Sequence, residues 1–177
     1  VTVEAIAADA LDCLRAGAAI VHSHAPFSDF TLAAADAAER YLASYRTVLA
    51  ERPDALLYPT IGGGATMAER LRHIEILAAA GAIRIGLLDP GCTLLGWAEA
   101  DGSPSAHSFA YVNTVADMEA ALEQGARLGL GLSIAIYEPG FLRNALAYWR
   151  LGRIPRGSMI KFYFGGDSGY MGMGRGV

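Results

Sequence analysis

Two histidines one residue apart close an apolar run, Ala18-Ala19-Ile20-Val21-His22-Ser23-His24. In a β-strand alternate side chains share a face, so His22 and His24 project to the same side. Two imidazoles fixed side by side on rigid backbone form half of a metal site. A catalytic zinc takes about three protein ligands and keeps one position open. A carboxylate is the expected third ligand, and Glu138 and Asp89, both at strand ends, are the candidates. The spacing does not choose between them. Asp29 is closer in sequence but falls in a turn, where a capping or solvated role fits better. A core histidine beside a loop histidine is the competing explanation of the pair.

A second group is Thr60-Ile61-Gly62-Gly63-Gly64, a glycine-rich turn between an apolar strand and a helix. Glycines let backbone approach a ligand, and free N–H groups at a helix start attract anions. The turn lacks the Lys-Ser/Thr pair of a P-loop. Gly165-Gly166-Asp167-Ser168-Gly169 forms a similar loop after the last strand. Arg143, Arg150, Arg153, Arg156 and Lys161 gather near the end of the chain. They read as a solvated face or as a grip on an anionic cofactor tail. Cys92 lies near Asp89 but has no His partner that would make it a nucleophile. His73 and His107 read as incidental.

These residues need a scaffold, and the apolar pattern supplies one. A helix starts at the Thr2 cap, carries Ile6, Ala10, Leu11 and Leu14 on one side, and ends at Gly17. Helices follow over about 32–50, 66–80, 114–128 and 139–149. Strands are expected at 18–24, 55–60, 83–89, 132–138 and 159–164. Thr66 with Glu69 has capping-box spacing, Thr114 caps a helix, and Pro139 opens one. Residues 90–111 read as a long functional loop. Helix and strand alternate five times, which implies parallel βαβ units. Polar residues collect after each strand, as the C-terminal face of a (β/α)8 barrel requires. A doubly wound sheet is the rival architecture. Five strands do not close an eight-stranded barrel. The chain therefore reads as a single domain over residues 1–177, an internal part of a TIM barrel without its first and last strands.

Composition narrows the class. Of 177 residues, 53% are hydrophobic and 18% charged, with a net charge of −4. That balance suits a buried sheet and disfavours nonspecific nucleic-acid binding. No apolar run reaches the length of a membrane span, and the first residues lack a signal-peptide pattern. The two cysteines, Cys13 and Cys92, have no metal spacing and point to a reducing cytoplasm.

The segment Ala16-Gly17-Ala18-Ala19-Ile20-Val21-His22-Ser23-His24 resembles the β-keto acid cleavage enzymes, the family of 3-keto-5-aminohexanoate cleavage enzyme. Further matches follow in order. Thr60-Ile61-Gly62-Gly63 with Glu69-Arg70 resembles the family's Thr-Gly-Gly turn and following Glu-Arg. Leu88-Asp89-Pro90-Gly91-Cys92 resembles its Asp-x-Gly-Ser element, and Tyr111-Val112-Asn113-Thr114 its Tyr-x-Asn stretch. Tyr137-Glu138-Pro139-Gly140 and Phe164-Gly165-Gly166 complete the series. Ile61 and Cys92 replace commoner small polar residues.

The resemblance implies a zinc-dependent (β/α)8 barrel that works as a homo-oligomer, a dimer or tetramer. Its reaction takes a β-keto acid and acetyl-CoA and gives acetoacetate and a new CoA thioester. His22 and His24 match the metal ligands; the family's remaining ligand, a Glu, and its Asp base fall beyond Val177. Thr60 and Glu138 are the expected catalytic residues. Thr60, Gly62, Gly63, Asp89, Cys92, Gly165 and Gly166 are the expected substrate contacts. A metal-dependent hydrolase of the amidohydrolase type, which also uses His-x-His, and a non-catalytic barrel are the alternatives.

Overall fold

The computed structural model describes residues 1–25, 32–96, 99–103 and 105–164. The expected positions Gly165, Gly166 and Asp29 lie outside them.

The chain opens with α1 (Val3–Arg15), capped by the Thr2 hydroxyl, which accepts from Ala5 N at 3.2 Å. Its C-terminus turns at Gly17, whose φ of 100° suits glycine. Then follow β1 (Ile20–Ser23), α2 (Ala34–Glu51) and β2 (Leu56–Pro59). Next come two short helices, α3 (Met67–Arg70) and α4 (Arg72–Ala79), and β3 (Ile85–Leu88). Two short strands, β4 (Thr93–Leu95) and β5 (Phe109–Tyr111), precede α5 (Val115–Leu128). The described part ends with β6 (Gly131–Ile136), α6 (Pro139–Arg150) and β7 (Met159–Phe162).

All five strands expected from the sequence are present, and every pairing among them is parallel. β1 pairs with β2, and β6 lies between β3 and β7. This is a mixed α/β fold with parallel sheets; the described residues form no closed barrel. Period-two alternation splits each strand between two faces. On β6, Leu132 packs toward α5, where a Cβ on Gly125 would meet its side chain. Leu132, Ile134 and Ile136 join Leu57, Leu88 and Phe141 in the buried core under the helices. The opposite faces of the strands look onto an interior cavity.

Two expectations need correction. The helix expected over residues 66–80 is interrupted at Leu71, whose φ of −104° and ψ of 1° leave helical geometry. The Leu71 carbonyl accepts from Ile74 N at 3.0 Å and from the buried Gln124 side chain on α5 at 3.1 Å. The Thr66–Glu69 capping box is formed as expected, as is the Thr114 cap with Asp117. The long loop is not irregular throughout. Within it β4 and β5 form an antiparallel ribbon, with Thr93 opposite Tyr111. Its base is tied by Asn113, whose Nδ2 donates to the Gly91 carbonyl at 3.0 Å. Gly91 lies flat on Phe141, and a Cβ there would come within 2.6 Å of the ring.

The start of β6 runs against the turn before β7. A Cβ on Gly131 would collide with the Gly157 carbonyl, a backbone atom that cannot swing away. Gly131→Ala should therefore lower stability by about 1–3 kcal/mol, the usual cost of overpacking. An unchanged urea midpoint would show that this approach is not tight.

Candidate active site

A cavity of about 570 Å³ opens where the strands end. It is lined by His22 on β1 and His24 just after it, Thr60 and Ile61 after β2, and Leu87 on β3 with Asp89 just after it. Tyr137 follows β6, and Lys161 on β7 is followed by Tyr163. At the ends of β1, β3 and β7 the lining residues are two apart, the signature of one strand face. Arg70, Leu95, Phe109 and Tyr111 close the remaining side.

The two histidines share the cavity as their spacing requires. Their ring centroids are 5.2 Å apart and nearly perpendicular. His22 Nδ1 lies 3.3 Å from the Tyr58 carbonyl, so it carries the proton and donates it, which leaves Nε2 as a free acceptor. The His22 ring also stacks on Tyr58, with centroids 4.5 Å apart. Both rings are open to the cavity on one side and enclosed on the other. Enclosure, the nearby Lys161 charge and His24 push His22 down to about 4. Enclosure and Lys161 also lower His24. Among the described residues no third His, Cys, Asp or Glu joins them as a metal cluster.

Asp89 reaches the cavity as expected, and accepts a 2.5 Å hydrogen bond from the Tyr111 hydroxyl. Arg70 Nη2 lies 3.4 Å from the same hydroxyl. Burial raises the Asp89 pKa, against the pull of Tyr111, Lys161 and Arg70. Burial and the Asp89 charge raise Tyr111 in turn. Lys161 Nζ donates to the Tyr163 hydroxyl at 2.9 Å and lies 5.1 Å from the Tyr58 ring centroid. Burial opposes its charge, but the Tyr163 and Tyr58 hydroxyls outweigh it, and its pKa is raised.

Other expected residues are placed differently. Strand alternation sends Tyr137 into the cavity, and its neighbour Glu138 does not line it. The Glu138 carboxylate lies against Gly140 at the start of α6, so it does not stand beside the histidines. Gly62 is not a free anion donor, because its N–H donates to the Arg70 carbonyl at 2.9 Å. A Cβ on Gly62 would press on the His73 ring at 3.2 Å. Gly63 and Cys92 do not line the cavity, and the Cys92 thiol donates to the Asn113 carbonyl at 3.4 Å.

His73, read as incidental, is 1% exposed and its Nε2 donates to the Thr60 carbonyl at 2.8 Å. It fixes the backbone of the Thr60 turn from behind. Arg70, Tyr111 and Tyr137 entered the sequence reading only as members of family-like segments, and Tyr58 and Tyr163 were not singled out. Tyr58 pairs in register with His22 and Tyr163 lies two residues from Lys161, which was the signal available for them.

The family model for β-keto acid cleavage enzymes matches residues 1–175. The chain belongs to this family. A structural relative is ObcA, solved as a ternary complex with a C4-CoA adduct and oxalate. The TM-score is 0.64 at 22% identity, over 90% of this chain and 36% of the ObcA chain. At that identity the likeness establishes the fold, and this chain spans little more than a third of ObcA. No curated protein matches the chain.

The Asp89 shift gives a pH prediction. A carboxyl whose pKa is raised in the fold stabilises it below the ordinary carboxylate range. That contribution disappears as pH rises through the raised value, where a partly buried charge forms. Asp89→Asn should flatten this fall in stability from the ordinary carboxylate range upward, as read from denaturant midpoints across pH. An identical pH profile in the variant would contradict the assignment.

Proposed function

We propose that this chain is part of a zinc-dependent (β/α)8 enzyme that cleaves a β-keto acid with acetyl-CoA. The products are acetoacetate and a new CoA thioester. The bond between the keto carbon and the carbon bearing the carboxylated end breaks. The released acyl group goes to the CoA sulfur, and the acetyl group takes its place on the carboxylated carbon. Family membership gives the reaction class. The observation that carries the reading is the convergence of His22, His24, Thr60 and Asp89 on one cavity.

His22 and His24 fit the metal. They share a face, enclosure on one side and Lys161 favour their neutral forms, and the Tyr58 carbonyl orients His22. A third ligand must come from outside the described residues. Bound there, zinc supplies Lewis-acid polarisation of the keto carbonyl. The chain's own residues do the rest. Thr60, braced by His73, offers its hydroxyl to the substrate carboxylate. Tyr111 holds Asp89 at the cavity wall, and the aromatic lining of Tyr111, Tyr137 and Tyr163 limits access of water.

The exposed apolar residues of the ribbon, Leu94 and Phe109, support a homo-oligomer. The free cysteines Cys13 and Cys92 fit a reducing cytoplasm.

The test is metal content and acetoacetate formation by the full protein. His22→Ala and His24→Ala should each weaken zinc binding by more than about 100-fold, beyond the loss of an outer-shell partner. Acetoacetate formation should fall with the metal. Variants that keep both zinc and activity would sink the reading.

A further inference from the structure

Lys161 projects from β7 across the interior to β2. Its ammonium is 5.1 Å from the Tyr58 ring centroid and 5.2 Å from that of Tyr163. Ammonium groups carry three donors, and the Tyr163 hydroxyl takes one. Among the described residues no carboxylate forms an ion pair with it. Asp89 is the one carboxylate among the described residues lining the cavity, and the Tyr111 hydroxyl already engages it. A second cation, Arg70, stands beside Tyr111. The cavity therefore carries more positive than negative side-chain charge, with one cation held by hydroxyl and π-faces only.

That imbalance discriminates between ligands. A neutral substrate tail would dry the ammonium without pairing it, which costs free energy. A cationic tail would meet two like charges and no free carboxylate. An anionic tail forms a charge-assisted hydrogen bond with Lys161. Resting on the β-keto acid reading above, we infer that Lys161 selects a β-keto acid whose far end bears a second carboxylate, by pairing with that carboxylate.

The test uses the full protein, acetyl-CoA and six-carbon 3-oxo acids that differ at the last position. These are 3-oxoadipate with a carboxylate, 3-oxohexanoate with a methyl and 6-amino-3-oxohexanoate with an ammonium. The expected order of kcat/KM is carboxylate, methyl, ammonium, with the first preferred by at least about tenfold, one charge-assisted hydrogen bond. In Lys161→Gln that preference should collapse through the KM for 3-oxoadipate, while Lys161→Arg should preserve it.

A wild-type preference for the methyl or ammonium acid overturns the inference. So does an equal loss on all three acids in Lys161→Gln, which would place Lys161 on the common carboxylate. A loss confined to the KM for acetyl-CoA overturns it as well. Calorimetric binding of 3-oxoadipate and 3-oxohexanoate without acetyl-CoA separates the two claims. Tighter binding of the dianion with no acetoacetate formed sinks the cleavage reading and leaves this one. Acetoacetate formed with no preference for the dianion does the reverse.

Discussion

The site depends on a cation placed opposite two imidazoles. Lys161 leans over Tyr58, and Tyr58 stacks on His22, so charge, phenol and imidazole form a chain between β7 and β1. Enclosure lowers both histidines, and the same charge lowers them further. Only a neutral imidazole offers a lone pair to a metal. A cation on one wall thus adds to the enclosure that favours the neutral form of the two imidazoles on the other wall. The aromatic ring between them gives the ammonium a favourable face while avoiding a carboxylate that would cancel its field.

Strand alternation then decides which neighbours take part. The His-x-His pair was legible because both residues sit on one strand at the spacing that shares a face. Asp89 was legible by its place at a strand end. The same rule, applied strictly, would have put Tyr137 inside and Glu138 outside. Glu138 attracted notice because a carboxylate is the usual companion of two histidines, and chemical type outweighed geometry. Lys161 was visible only as one of several basic residues. Its role comes from Tyr58, about a hundred positions earlier, and no local pattern encodes that meeting.

The ribbon of β4 and β5 was hidden for a related reason. Each strand has three residues, and 13 others separate them, so neither period nor turn chemistry announces a hairpin. What forms it is contact made elsewhere. Asn113 bonds to Gly91, Gly91 lies on Phe141, and Tyr111 reaches Asp89. The break at Leu71 is similar, since its carbonyl accepts from Gln124 on a distant helix as well as from Ile74 N. Helices, caps and parallel strands are local and were readable; these tertiary ties were not.

The charge balance of the cavity binds these features into one argument. Lys161 and Arg70 each bring one positive charge, and a divalent metal on His22 and His24 would bring two more. Asp89 offsets at most one, and burial disfavours even that charge. A cavity so positive, with low-dielectric walls, favours anions strongly. In the reaction proposed above, a β-keto acid would supply a carboxylate and acetyl-CoA its phosphates. Anion and metal should therefore each raise the affinity of the other, because each relieves the repulsion the other leaves. The two histidines, the lysine with no ion pair among the described residues and the hydroxyl-held aspartate are then parts of one electrostatic arrangement that an anion would complete.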